Sequence, residues 1–149
     1  MMSESSARSE SPNRVLIVDS WPVMEWLKNR QPAANKFGDL LEIAQSGGVR
    51  LLLSNINLGE VYYNCWREWG EIRADAVLDV LRKHPLQIVH PTEPAVLAAA
   101  RVKAQYPISY ADAFAVVLAI EFDGTVLTGD SDFLPLALDG LVEVEWMGG

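Results

Sequence analysis

A single cysteine, Cys65, stands in 149 residues. No internal disulfide framework is therefore available, and a reducing cytoplasm is the expected compartment. No apolar run approaches the ~18 residues of a membrane span, and the N-terminus lacks the apolar stretch of a signal peptide, so no membrane association is expected. Histidine is scarce: His84 and His90 flank one short apolar run, and with one thiol they make a poor zinc set. Glycine-rich phosphate loops are missing too. After the first apolar run stands Asp19-Ser20-Trp21-Pro22, which excludes both a Rossmann fingerprint and a P-loop at that place.

The most telling scarcity is of positive charge. All 12 lysines and arginines, with 12 of the 20 acids, lie in residues 1–103, whereas residues 104–149 carry eight acids and no Lys or Arg. The net charge of −8 thus belongs to the last third. Such a region repels phosphates, so a nucleic-acid partner would need a bound cation and basic contacts from the earlier residues. A receiver-type phosphoacceptor domain is disfavoured for the same reason, because no lysine follows Lys103.

Half of the residues are apolar, enough for a sizeable core in one domain over residues 14–149. The opening MMSESSARSESPN has five serines and little to bury, and residues 1–13 are expected to form a disordered tail. From Arg14 onward, short β-branched runs alternate with helical patterns, the signature of an α/β fold with a mostly parallel sheet of roughly five strands. Strands are expected at 14–18, 49–53, 86–89, 125–128 and 141–146. The last alternates acids with Val142, Val144 and Trp146, as a sheet edge would.

Helices are expected near 23–27, over 33–45, from Asn57, and over 71–83, the last with Ile72, Ala76, Leu78 and Leu81 among its apolar positions. Another runs from Pro94 towards Pro107. The segment 109–122 puts Ala111, Phe114, Ala115, Leu118, Ala119 and Phe122 on one stripe. Asp39, Glu42, Asp75, Asp79 and Glu121 fall on expected solvated helix faces and receive no chemistry.

Placed on these elements, the remaining acids gather. Asp19 follows the first strand, Glu60 and Asp112 occupy the first turns of two helices, and Asp130 and Asp132 follow the fourth strand in LTGDSDF. Each also fits a local role as a helix cap or turn residue; Asn57 with Glu60 and Ser109 with Asp112 have capping-box spacing. Capping does not require four or five acids at the carboxyl edge of one parallel sheet, where ligands bind. A hard-cation site does, and carboxylates without thiols favour Mg²⁺ or Mn²⁺.

The segments IVDS, NINLGE, SYADA and LTGDSDF, in this order, resemble the four signature segments of PIN-domain ribonucleases, over about residues 14–146. In size the chain is similar to the VapC-type toxins of toxin–antitoxin pairs. The resemblance implies a PIN-like three-layer α/β/α fold and a Mg²⁺- or Mn²⁺-dependent endoribonuclease using one or two ions and leaving a 5′-phosphate. It implies catalytic carboxylates at Asp19, Glu60, Asp112 and Asp130, with Asp19, Asp112 and Asp130 as metal ligands and Glu60 positioning water. Asp132, Thr128 and Ser20 would play supporting parts. Candidate RNA contacts are Lys28, Arg30, Lys36, Arg67 and Arg73, the last two near an aromatic stripe of Tyr62, Trp66 and Trp69. The resemblance further implies a homodimer and a cognate antitoxin protein. A non-catalytic PIN-like module that binds RNA or protein stays open as the alternative.

Overall fold

The computed structural model describes residues 14–148; the expected N-terminal tail lies outside them. Five strands form one sheet in which every pairing is parallel: β1 (Val15–Val18), β2 (Arg50–Ser54), β3 (Gln87–Val89), β4 (Thr125–Thr128) and β5 (Glu143–Trp146), in the order β3-β2-β1-β4-β5. The chain builds outward from β1 to β3 and then crosses to β4 on the other side. The order therefore reverses between β1 and β4, where the carboxyl edge of an open sheet splays into a crevice.

Seven helices among the described residues cover the two faces: α1 (Ser20–Leu27), α2 (Ala33–Gln45), α3 (Asn55–Trp69), α4 (Glu71–Arg82), α5 (Glu93–Gln105), α6 (Tyr110–Glu121) and α7 (Leu134–Leu138). The strands, buried on both sides, sort their side chains by the two-residue period. Leu16, Val18, Leu51, Leu53 and Leu127 pack with Val23, Phe37, Val61, Cys65, Val77 and Leu81 of α1–α4. Val15, Ile17, Leu52 and Val126 pack with Ala99, Val102, Phe114, Val117 and Leu136 of α5–α7. The result is the expected three-layer, PIN-like α/β/α arrangement.

Several local expectations need correction. Helix α3 starts at Asn55, not Asn57, because Ser54 is its cap and accepts from the Ile56 amide at 3.0 Å. Asn57 thus lies inside the helix, and its pairing with Glu60 as a capping box fails. Helix α1 begins three residues earlier than expected, at Ser20.

On α4 the buried positions are Ala74, Val77 and Leu81. Ile72 is 86% exposed, Ala76 is exposed and Leu78 only half-buried, so the face is rotated from the expected one. Helix α6 is no amphipathic stripe: Asp112 through Leu118 and Ala119 are all buried, as befits a helix enclosed by neighbours on every side. On β5, a true sheet edge, Trp146 is exposed and Glu145 is half-buried, paired with Arg14.

Candidate metal centre

The crevice forms where β1 and β4 end. Asp19, one residue past β1, has its backbone amide bonded to the Leu127 carbonyl of β4 at 3.2 Å. It occupies the cap position of α1, yet its side chain makes no capping bond. Instead the carboxylate turns inward, where Oδ2 accepts from the Thr128 hydroxyl at 2.8 Å. The same hydroxyl oxygen accepts from the Asp130 amide at 3.0 Å. Thr128, fully buried, thereby joins the acid after β1 to the acid after β4.

Asp130 is steadied from its other side, because its Oδ1 accepts from the Asp132 amide at 2.9 Å. Asp132 therefore braces Asp130 through its backbone, while its own carboxylate is exposed. Gly129, between Thr128 and Asp130, answers to packing: a Cβ there would meet the Trp21 ring at 2.4 Å. The stretch LTGDSDF is thus both a turn and one wall of the crevice.

Asp112 arrives from the third side. Ser109 caps α6 by accepting from the Asp112 amide at 3.1 Å, which fixes the first turn. Helix α3 is tied to that turn by Asn57, whose Nδ2 donates to the Ala111 carbonyl at 3.1 Å. Glu60, one turn along α3, lines the same crevice as Asp19, Asp112, Asp130, Asp132 and Ser20.

Asp19, Asp112 and Asp130 each offer a carboxylate oxygen, and the three oxygens lie within 4.8 Å of one another. Glu60 stands outside this triad. Asp19 is only 1% exposed and Asp112 only 4%. Burial first, then Asp112 and Glu60, holds the Asp19 carboxyl well above the usual carboxylate range, against the opposing hydrogen bond from Thr128. Burial, with repulsion from Glu60 and Asp130, pushes Asp112 up to about 7.

Asp19 Oδ1 and Glu60 Oε1 are buried without a hydrogen-bond partner. Buried acceptors of this kind are costly unless something positive meets them. An oxygen-rich, thiol-free set with unsatisfied acceptors fits a hard divalent cation.

Of the expected basic contacts, Lys28 and Arg30 line the crevice; Lys36, Arg67 and Arg73 do not. Arg67 lies over the Tyr63 ring and Arg73 over Trp69. Residues given no part in the site from the sequence also shape it: Asn57 and Ser109, expected only as caps, and Gly129, Trp21, Asn64, Glu25 and Glu68. The Asn at three residues before Glu60 was visible as a signal, but only as a cap.

The family model of the PIN domain matches residues 16–137. No curated protein matches the chain. Among solved structures, the chain is similar to VapBC of Salmonella typhimurium bound to DNA, at 15% identity and TM-score 0.67, with 90% of this chain and 98% of that one covered. It is similar to VapBC2 of Rickettsia felis bound to a promoter DNA fragment, at 14% identity and TM-score 0.66, with coverage of 88% and 97%. A third match is a sarcin–ricin-loop-cleaving VapC toxin of Mycobacterium tuberculosis, at 21% identity and TM-score 0.64, with coverage of 87% and 98%. At these identities the likeness is one of fold.

Proposed function

The chain belongs to the PIN domain family, and on that premise we propose that it is a Mg²⁺- or Mn²⁺-dependent endoribonuclease, the toxin of a toxin–antitoxin pair. The observation that carries this reading is the triad of carboxylate oxygens within 4.8 Å of one another, with Asp19 Oδ1 buried beside it and unpartnered. Asp19, Asp112 and Asp130 would hold one or two ions. When bound, the cation supplies charge that acidifies a water and neutralises phosphoryl oxygens.

The chain's own residues do the rest. Thr128 ties the Asp19 carboxylate to the Asp130 backbone through its shared hydroxyl. Glu60, with one oxygen unpartnered, orients the attacking water in line with the scissile bond. Ser20 and Ser109 edge the crevice, and their hydroxyls would bond a phosphate oxygen. Hydrolysis by water requires no covalent intermediate and leaves a 5′-phosphate.

The VapBC neighbours are complexes, which supports a cognate antitoxin for this chain. The half-exposed Tyr63 and Trp66 on α3 offer apolar area to an antitoxin or to a second copy in a homodimer, since aromatic side chains are enriched at interfaces. An antitoxin arginine pairing with Asp19 and Asp112 would silence the crevice by displacing the cation. An RNA substrate and an antitoxin partner would suit action in the cytoplasm.

The deciding experiment incubates the purified chain with total cellular RNA, with Mn²⁺ or with chelator, and maps the new ends. Metal-dependent cuts bearing 5′-phosphates are expected. RNA that is bound but uncut with every divalent ion would replace this reading with the non-catalytic module.

A further inference from the structure

The crevice is lined by seven carboxylates, Asp19, Glu25, Glu60, Glu68, Asp112, Asp130 and Asp132 among them all, against two cations. Both cations are already engaged. Lys28, at the end of α1, has its Nζ 2.8 Å from Glu68 Oε2 on α3. Arg30 has Nε 3.9 Å from Glu25 Oε2. Even with a divalent ion in place the crevice stays negative, so a polyanion has no uncommitted positive group to approach within it.

We propose that Lys28 is the phosphate contact of the crevice and that Glu68 sets how readily it is released, making Glu68 a substrate-affinity determinant. The inference rests on the ribonuclease reading and specifies the substrate contact of that same site. The Lys28 side chain is 22% exposed and Glu68 43%; the pair thus sits at the water-filled rim, where an ion pair is weak enough to exchange. An incoming RNA phosphate takes the ammonium, and Glu68 swings to solvent. Arg30, 63% exposed and more loosely paired, is the weaker contact. The exchange makes binding depend on a phosphate that reaches the rim and the triad together, which favours a flexible single strand over a stiff duplex.

The test measures binding of a labelled single-stranded oligouridylate by anisotropy with the triad intact and Ca²⁺ in place of Mn²⁺, a gel verifying that the RNA stays uncut. Glu68→Gln is expected to tighten binding by up to about fivefold, the size of a weak exposed ion pair. Lys28→Gln should weaken it and lower the slope of log affinity against log salt by about 0.7, one phosphate on a single strand. Lys28→Arg should bind nearly as well as the parent.

The decisive arm is Glu68→Gln on top of Lys28→Gln. The gain should vanish there, because Glu68 acts through Lys28. A gain that persists without Lys28 means general repulsion by Glu68 and overturns the proposal, as does a Glu68→Gln variant that binds like its parent. A wild-type chain that cuts RNA while these variants are silent overturns this inference alone; a chain that neither cuts nor binds RNA overturns the ribonuclease reading and this inference with it.

Discussion

The two ends of the sheet are built from different materials. At the carboxyl end lie all five of the buried polar or charged residues among those described: Asp19, Ser54, Asn57, Asp112 and Thr128. At the amino end, the buried residues beginning or preceding the strands are apolar: Val15, Val49, Leu86 and Val142. Arg14, just before β1, and Glu145 of β5 form a part-buried pair. Both ends have the same local problem, a chain leaving or entering a parallel strand. The amino end solves it with hydrophobic contact, which stabilises without needing partners. The carboxyl end places carboxylates where they repel one another and lose hydration, a cost to stability that folding alone does not explain.

That contrast breaks most visibly if the carboxyl end is discharged. Asp19→Asn and Asp112→Asn are each expected to reduce Mn²⁺ affinity and RNA cleavage together, by more than the roughly 100-fold that loss of a supporting partner costs. Glu143→Gln, an exposed acid at the amino end, should alter neither. Calorimetric titration and cleavage rates decide it, and Asn variants that cut RNA like the wild type would remove the assignment.

A smaller loss, roughly 10- to 100-fold in Mn²⁺ affinity, is expected for Thr128→Val. Valine fills the same volume but leaves Asp19 Oδ2 without its donor and the Asp130 amide without its acceptor. Undiminished affinity in a folded Thr128→Val chain would show that the hydroxyl serves the turn rather than the site.

Stability sharpens the comparison next. Filling the metal-free site with Mn²⁺ at about a hundredfold excess over its dissociation constant should stabilise by roughly 2.7 kcal/mol, raising Tm by about 5–10 °C. In Asp112→Asn the metal-free protein should melt higher than the wild type, since a repelling charge is gone, and Mn²⁺ should add little. Thermal scans in which Mn²⁺ shifts both proteins equally would place the binding elsewhere.

The smallest effect is the pH dependence. Folded Asp112 keeps its proton up to about 7, whereas its ordinary value is 3.8. Between those values the folded state binds more protons than the unfolded one, so the stability of the metal-free protein should fall as pH rises through this window. Mn²⁺ affinity should rise over the same range, because the ion competes with the proton. Asp112→Asn should flatten both profiles in denaturant titrations; an unchanged slope would assign the titration to another group.

Much of this was legible along the chain. The helix over 33–45 and the strand over 125–128 appear at their expected bounds, since periodicity and glycine stops are local signals. Five of the seven crevice acids, Asp19, Glu60, Asp112, Asp130 and Asp132, were visible because each was expected to follow a strand or to stand in the first turn of a helix.

What stayed hidden depended on distant partners. The register of α4 was missed because Ile72 and Val77 are equally apolar, and only the packing of α4 against its neighbours decides which is covered. Asn57 looks like a cap by spacing, but its partner is the Ala111 carbonyl, fifty-four residues away in sequence. Lys28 and Arg30 are indistinguishable in the sequence from Lys36, Arg67 and Arg73 as positive side chains; only the approach of α1 to α3 selects the first two.

The sequence by itself determined the alternation of strands and helices, the mostly parallel sheet and which acids stand at its carboxyl edge, because strand and helix periods and the alternation of elements are carried by neighbouring residues. The tertiary structure alone decided that Asp19, Asp112 and Asp130 converge while Glu60 stands outside the triad, and that the crevice's two cations are held in pairs. Distances of a few ångströms between side chains from separate elements are set by how helices seat on a twisted sheet, and no local pattern encodes them.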